Sequence, residues 1–217
     1  MVVQKLVNIP SQADSSRDAD MLTLLKEYIK DKHSKPGNVY LGLVHRLDRP
    51  VGGVMIFAKT SKAASRLFDQ IQRGEFERIY IAVVRGKVKD KNGHLKDYLV
   101  KDTKLNIVRI GGEDDKNAKL AVLDYAVLSY RDNLSLVMIN LHTGRSHQIR
   151  VQMAAIGHPL FGDQKYGKGL NKTGEQLALW SYSITCVHPT KKEKMTFKSI
   201  PPFTYPWEIF KDEMRYG

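Results

Sequence analysis

One segment of the chain, Val44-His45-Arg46-Leu47-Asp48-Arg49-Pro50-Val51-Gly52-Gly53-Val54, seats a single carboxylate between two arginines and follows it with a glycine turn and an apolar run. Carboxylates among guanidinium groups stay ionised, and ionised carboxylates do nucleophilic or acid–base work. Three further groups carry reactive side chains. Tyr80 lies in Arg78-Ile79-Tyr80-Ile81-Ala82-Val83-Val84. Thr143-Gly144-Arg145-Ser146-His147-Gln148-Ile149-Arg150 is rich in cations. Gly157-His158-Pro159-Leu160-Phe161-Gly162-Asp163 holds another acid. Taken singly each has a plainer explanation: Asp48 as a turn cap, Tyr80 as a half-buried strand tyrosine, the arginines as a solvated helix face. The third group is the least easily dismissed, because Gly144 opens an expected helix. A helix N-terminus flanked by cations suits phosphate.

Other chemistries fit worse. His45-Arg46-Leu47-Asp48 has the start of a kinase catalytic loop, but no downstream Asn, Asp-Phe-Gly or glycine-rich ATP loop accompanies it. His142, His147 and His158 lack zinc-ligand spacing, and Cys186 is the only cysteine. No P-loop, dinucleotide fingerprint or nucleophile-elbow serine is present.

The elements that must position these residues are legible from periodicity and punctuation. Residues 11–20 are polar and loop-like; 21–30 read as a helix, with Leu22, Leu25 and Ile29 at helical spacing; 33–38 form a turn. Residues 54–58 read as a buried strand. Thr60 or Ser61 then caps a helix with Ala64, Leu67, Phe68 and Ile71 on one face, stopped by Gly74. Strands are expected over 78–86, 120–130 and 134–141, a loop over 85–104, and a helix over 145–156. A final hairpin is expected from 177–187 and 195–200 across a basic turn at 191–194. Strands outnumber helices and short turns join neighbours, which predicts an α+β fold with a mixed, mainly antiparallel sheet and flanking helices. No linker divides the chain, so residues 1–217 are expected to form a single domain.

The 217 residues are 42% hydrophobic, enough to bury a core, and carry a net charge of +12. That excess suits a polyanion. Seven basic residues between 85 and 104 face only three aspartates. A lone cysteine fits a reducing compartment. No apolar run reaches the length of a membrane span, and the N-terminus has no signal-peptide core. A soluble, cytoplasmic, monomeric protein is the expectation, without a membrane partner.

Together the four motifs, in order and spacing over roughly residues 38–200, closely resemble the RluA family of RNA pseudouridine synthases. Relatives carry H-R-L-D and a later F-A-K-T, here His45 to Asp48 and Phe57 to Thr60. They carry K-x-Y-x-A-x-V-x-G, here with Arg78 in place of Lys and Tyr80 as the tyrosine. They carry T-G-R-x-H-Q-I-R, here Thr143 to Arg150, and G-H-P-L-x-G-D with a following Y-G, here Gly157 to Asp163 and Tyr166-Gly167. The chain differs at Val51-Gly52, where relatives usually have Thr-Ser. It differs at Lys5-Leu6-Val7, where a Lys-Pro-x-Gly-like motif is usual, and at Trp180-Ser181, where relatives often read His-Ala. The upstream RNA-binding domain of many relatives is not expected here.

The resemblance implies the pseudouridine synthase fold with a central RNA-binding cleft, and isomerisation of a uridine in ribosomal or transfer RNA. It implies no metal, no nucleotide cofactor and no DNA substrate. The uracil N1–C1′ bond breaks, the base rotates, and C5 bonds to C1′. It implies that Asp48 is the essential aspartate, acting on C1′, on the ring, or as a base at the 2′ position. It assigns Arg150 as its cationic partner and Tyr80 as an aromatic that stacks on uracil and relays the C5 proton. Leu179 packs against the base; His45, Arg46, Arg145, His147 and Gln148 are candidate substrate contacts. Base flipping is expected, since C1′ and C5 are shielded in a stack. The fold then has to bring Asp48, Tyr80 and Arg150 together. A non-catalytic RNA-binding or ribosome-assembly protein is the alternative.

Overall fold

The structure is a computed structural model that describes residues 1–34 and 36–215, the Arg215 side chain excepted. In chain order its elements are β1 (Val2–Lys5), α1 (Met21–Lys32), β2 (Gly42–Leu43), β3 (Gly52–Ala58), α2 (Ser61–Gln72), β4 (Glu77–Arg85), β5 (Asn92–Asp102), β6 (Ile107–Gly111), β7 (Lys119–Arg131), β8 (Leu134–Leu141), α3 (Gln148–Ala155), β9 (Leu179–Val187) and β10 (Lys194–Lys198). A 3-10 turn (Trp207–Phe210) and α4 (Lys211–Arg215) end it. The fold is α+β with antiparallel pairing throughout the described ladders. The backbone divides into two compact units, Met1–Arg78 with Ser181–Ser199, and Ile79–Trp180 with Ile200–Gly217.

In the first unit β3 is the central strand, fully buried along its length. β1 pairs with it from Val2 opposite Ile56 to Lys5 opposite Gly53, and β2 pairs at its far end. β9 and β10 form the expected hairpin, with Thr185 opposite Thr196. Helices start where the sequence supplies caps: the Asp20 carboxylate accepts from Thr23 N–H at 3.1 Å, and the Thr60 hydroxyl from Ala63 N–H at 3.1 Å. On α2, Ala64 and Leu67 are buried in a core with Val54, Ile56, Phe76, Ile184 and Cys186. Phe68 is exposed, against expectation, and Gln70 is buried instead. Its amide donates to Val187 O at 2.9 Å and accepts from Val187 N–H at 2.8 Å, so both polar ends are satisfied.

The second unit is a meander in the order β4-β8-β7-β5-β6. Residues 92–102, expected as loop, are a strand of eleven residues hydrogen-bonded on both edges. The lysines there hide a real alternation: Leu95 and Asp97 are half-buried while His94 and Lys96 are exposed, so a charge-rich strand reads as a solvated loop. α3 packs on this sheet, Val151 against Leu99, Val108 and Ala121. It is also shorter than expected, starting at Gln148 rather than Arg145. His147 sits at φ +51 in the left-handed region and interrupts the helical run before it begins. No helix among the described residues is long and apolar enough to cross a membrane.

Candidate active site

In the first unit Asp48 lies in a tight turn, its carbonyl accepting from Val51 N–H at 2.9 Å. The residues on either side are clamped by the N-terminal segment. Ser11 Oγ donates to Leu47 O at 2.8 Å and accepts from Leu47 N–H at 3.1 Å. Arg49 O accepts from Asn8 N–H at 2.8 Å and from Lys5 Nζ at 3.0 Å. Lys5 is wholly buried and also donates to Leu6 O at 3.0 Å and Ile9 O at 2.6 Å. A lysine ammonium has three donors, and here each meets a carbonyl. Burial pulls the Lys5 pKa down to about 8, the Asp48 carboxylate opposing the shift and Arg49 adding to it.

The arginine next to Asp48 turns the other way. Arg49 forms an ion pair with Asp18 and donates to Ser16 Oγ at 3.0 Å. His45 braces the strand that leaves the turn: its Nε2 accepts from Ile56 N–H at 3.0 Å. That bond fixes the imidazole as the neutral Nδ1–H tautomer. Burial, with the Arg78 cation, pushes the His45 pKa down to about 3. Arg46 is exposed.

In the second unit Tyr80 is buried on β4, opposite Ile139 of β8. Arg150 is buried on α3, and Asp163 grips its guanidinium side-on: Nε donates to Oδ2 at 2.7 Å and an Nη to Oδ1 at 2.8 Å. Burial alone would raise the Asp163 pKa. The Arg150 hydrogen bonds and charge, with the N–H groups of Tyr166 and Lys165, outweigh it and hold the carboxyl below its ordinary value. The Tyr166 ring lies 5.2 Å from the Arg150 guanidinium, and its hydroxyl is 2.7 Å from His147 Nδ1. Gln148 is buried. Its Oε1 accepts from Thr143 Oγ1 at 2.8 Å and Arg145 N–H at 3.1 Å, and its Nε2 donates to Val122 O at 3.1 Å. Arg145 is exposed, its Nε donating to Leu120 O at 2.9 Å. Leu179 is buried at the start of β9.

A family model described as RNA pseudouridylate synthase matches residues 1–155, a stretch that contains Asp48, Tyr80 and Arg150. The chain belongs to the RNA pseudouridylate synthase family. An uncharacterized RNA pseudouridine synthase of Aquifex aeolicus is 36% identical over 220 residues, covering 94% of this chain and 67% of that one. Ribosomal large subunit pseudouridine synthase D of Neisseria meningitidis is 34% identical over 74% of this chain and 45% of its own length. The tRNA pseudouridine synthase C of Haemophilus influenzae is 33% identical over 70% of this chain and 71% of its own. The chain spans about half to two thirds of the length of several curated relatives that it matches. The structure of human RNA pseudouridylate synthase domain containing 4 superposes with a TM-score of 0.79 over 99% of this chain and 89% of that one, at 21% identity. The expected fold class stands on that likeness.

Motif spacing named residues in both units of this family member: His45, Arg46 and Asp48 in the first, and Tyr80, Arg145, His147, Gln148, Arg150 and Leu179 in the second. Two residues that organise these sites received no role from the sequence. Lys5 was visible only as the remnant of a motif lacking its proline, although a lysine among Val2, Val3, Leu6 and Val7 marks an apolar environment. Asp163 was part of a recognised motif, but nothing local pairs it with Arg150, thirteen residues earlier.

Proposed function

We propose that this chain isomerises a specific uridine to pseudouridine in ribosomal or transfer RNA, the substrates that the names of its relatives carry. One observation carries the reading: within the family-matched stretch, Asp48 sits on a turn whose two neighbours are pinned through Leu47 and Arg49. A carboxylate in so fixed a frame is suited to meeting one atom of a bound substrate. Asp48 acts as the essential aspartate, Arg150 as the cation that serves it, and Tyr80 as the aromatic that stacks on uracil and relays the C5 proton. Residues 1–217 act as one catalytic domain. The uridine leaves its stack to react, and Arg46 and Arg145, both exposed, contact phosphates or the displaced strand. The β5–β6 hairpin, with exposed Lys101 and Lys104, and the Lys191–Lys194 turn grip the RNA backbone. The protein is cytoplasmic and monomeric.

Forming the C5–C1′ bond displaces the C5 hydrogen, so tritium is released from RNA labelled with 5-tritiated uridine. The wild-type protein is expected to release tritium from ribosomal or transfer RNA without added metal or nucleotide. Asp48→Asn is expected to bind RNA with little change and release none. An Asp48→Asn variant with full activity refutes the mechanism. A wild-type protein that binds RNA tightly and releases no tritium from any cellular RNA leaves the RNA-binding alternative.

A further inference from the structure

We infer that Asp163 is a positioning residue for the isomerisation, acting through Arg150; the inference rests on Arg150 serving the reaction as proposed above. The Arg150 guanidinium offers five N–H groups. Asp163 takes two of them on one edge, Nε and one Nη, at 2.7 and 2.8 Å. A two-point grip along that edge fixes the plane of the guanidinium and its rotation about the side-chain axis, which a single contact does not. The opposite edge is thereby aimed in one direction.

The grip is itself anchored. Asp163 Oδ1 also accepts from Lys165 N–H at 2.9 Å and Tyr166 N–H at 3.1 Å, so the carboxylate cannot swing without breaking two backbone bonds. The loop carrying it is tied down by Asn171, whose amide donates to Leu160 O at 2.9 Å and Asp163 O at 3.1 Å and accepts from Gly162 N–H at 3.0 Å. Arg85 holds Asn171 in turn, its Nε donating to Oδ1 at 2.8 Å while an Nη pairs with Glu175 at 2.7 Å and the guanidinium covers the Phe161 ring. Gly162 sits at φ +74, with the Leu177 backbone N 2.9 Å from where a Cβ would stand. The Tyr166 ring lies 5.2 Å from the Arg150 guanidinium, and its hydroxyl accepts from Val108 N–H at 2.9 Å. An arginine needed only for bulk charge requires none of this. Orientation is what such a cradle supplies.

The test is a double-mutant cycle read by single-turnover tritium release and, separately, by RNA dissociation constant. Asp163→Asn keeps the size and an acceptor and removes the charge. It is expected to slow release about 100-fold, with RNA affinity within about threefold of wild type. Introduced on top of Arg150→Gln, the same change is expected to slow release less than about threefold further, because its target is gone. If Asp163→Asn does not fold, judged by circular dichroism and melting, the cycle is read with Asp163→Glu, which keeps the charge and displaces the grip. Wild-type release by a folded Asp163 variant overturns the inference, as does an equal slowing in both backgrounds. A fully active Arg150→Gln fails the underlying reading instead, which separates the two.

Discussion

The buried ammonium of Lys5 donates to the carbonyl oxygen of Arg49 at 3.0 Å, one residue past Asp48. The strand that opens the chain therefore reaches the proposed catalytic turn across a sequence separation of 44. Lys5→Met fills the space and removes all three donors, leaving the Leu6 and Ile9 carbonyls without that partner. Each orphaned carbonyl costs about 1–3 kcal/mol, offset in part because a buried charge disappears. We expect a folded variant with RNA affinity near wild type and tritium release at least about tenfold slower. Unchanged release in Lys5→Met means that the clamp on Arg49 is dispensable.

The His45 imidazole produces an acid limb in stability. Its folded pKa is about 3 against a reference of 6.5, so between those values the unfolded chain takes a proton that the folded chain refuses. Stability is therefore full above pH 6.5 and falls as pH drops toward 3, by a few kcal/mol in all. Gln places an acceptor near the Nε2 position without titrating. Urea melts from pH 7 to pH 4 should lose less stability in His45→Gln than in the wild type; parallel curves contradict the assignment.

Gly53 tolerates no side chain. It sits at φ +122, and a Cβ there would come within 2.6 Å of the Ser181 backbone N. Both objections are to backbone, which cannot step aside. Gly53→Ala is expected to lose about 2–4 kcal/mol in denaturant unfolding. Gly74→Ala, where nothing lies near the new Cβ, carries only the strain of φ +73 and should lose about 1 kcal/mol.

RNA affinity should fall with salt in proportion to the phosphates neutralised. Replacing both Lys101 and Lys104 with alanine is expected to reduce the slope of log affinity against log salt by about 2, with single-turnover release at saturating RNA unchanged. An unaltered slope places the RNA elsewhere than on the β5–β6 hairpin.

What the sequence discloses depends on how far apart the partners stand. The Asp48 turn is readable because its signals are adjacent: arginines, proline and glycines within eight residues. The same adjacency misleads about Arg49, whose guanidinium goes to Asp18 and Ser16 rather than inward. The helix after Asp20 is visible through apolar spacing alone, and the one after Thr60 through its cap as well; the Asp20 cap is a finding of the structure. β1 is not visible, since four residues carry too little periodicity, and its pairing with β3 is a tertiary fact. The β5–β6 hairpin is not legible, because lysines on a strand look like lysines on a loop. The start of α3 is not legible, because His147 takes a left-handed conformation that residue type alone does not announce. Lys5 and Asp163 act across space, and their roles exist only once the chain has folded.

Cys186 gives the first unit a built-in clock. The chain's sole thiol lies in the core beneath α2, and burial holds its pKa above the ordinary value, so it is both shielded and weakly ionised. Alkylating reagents can reach it only through openings of that core. The rate of single-site labelling under native conditions thus reports how often the unit bearing Asp48 loosens, without introducing any probe. Measured with and without RNA, it gives the stiffening that substrate imposes on that unit.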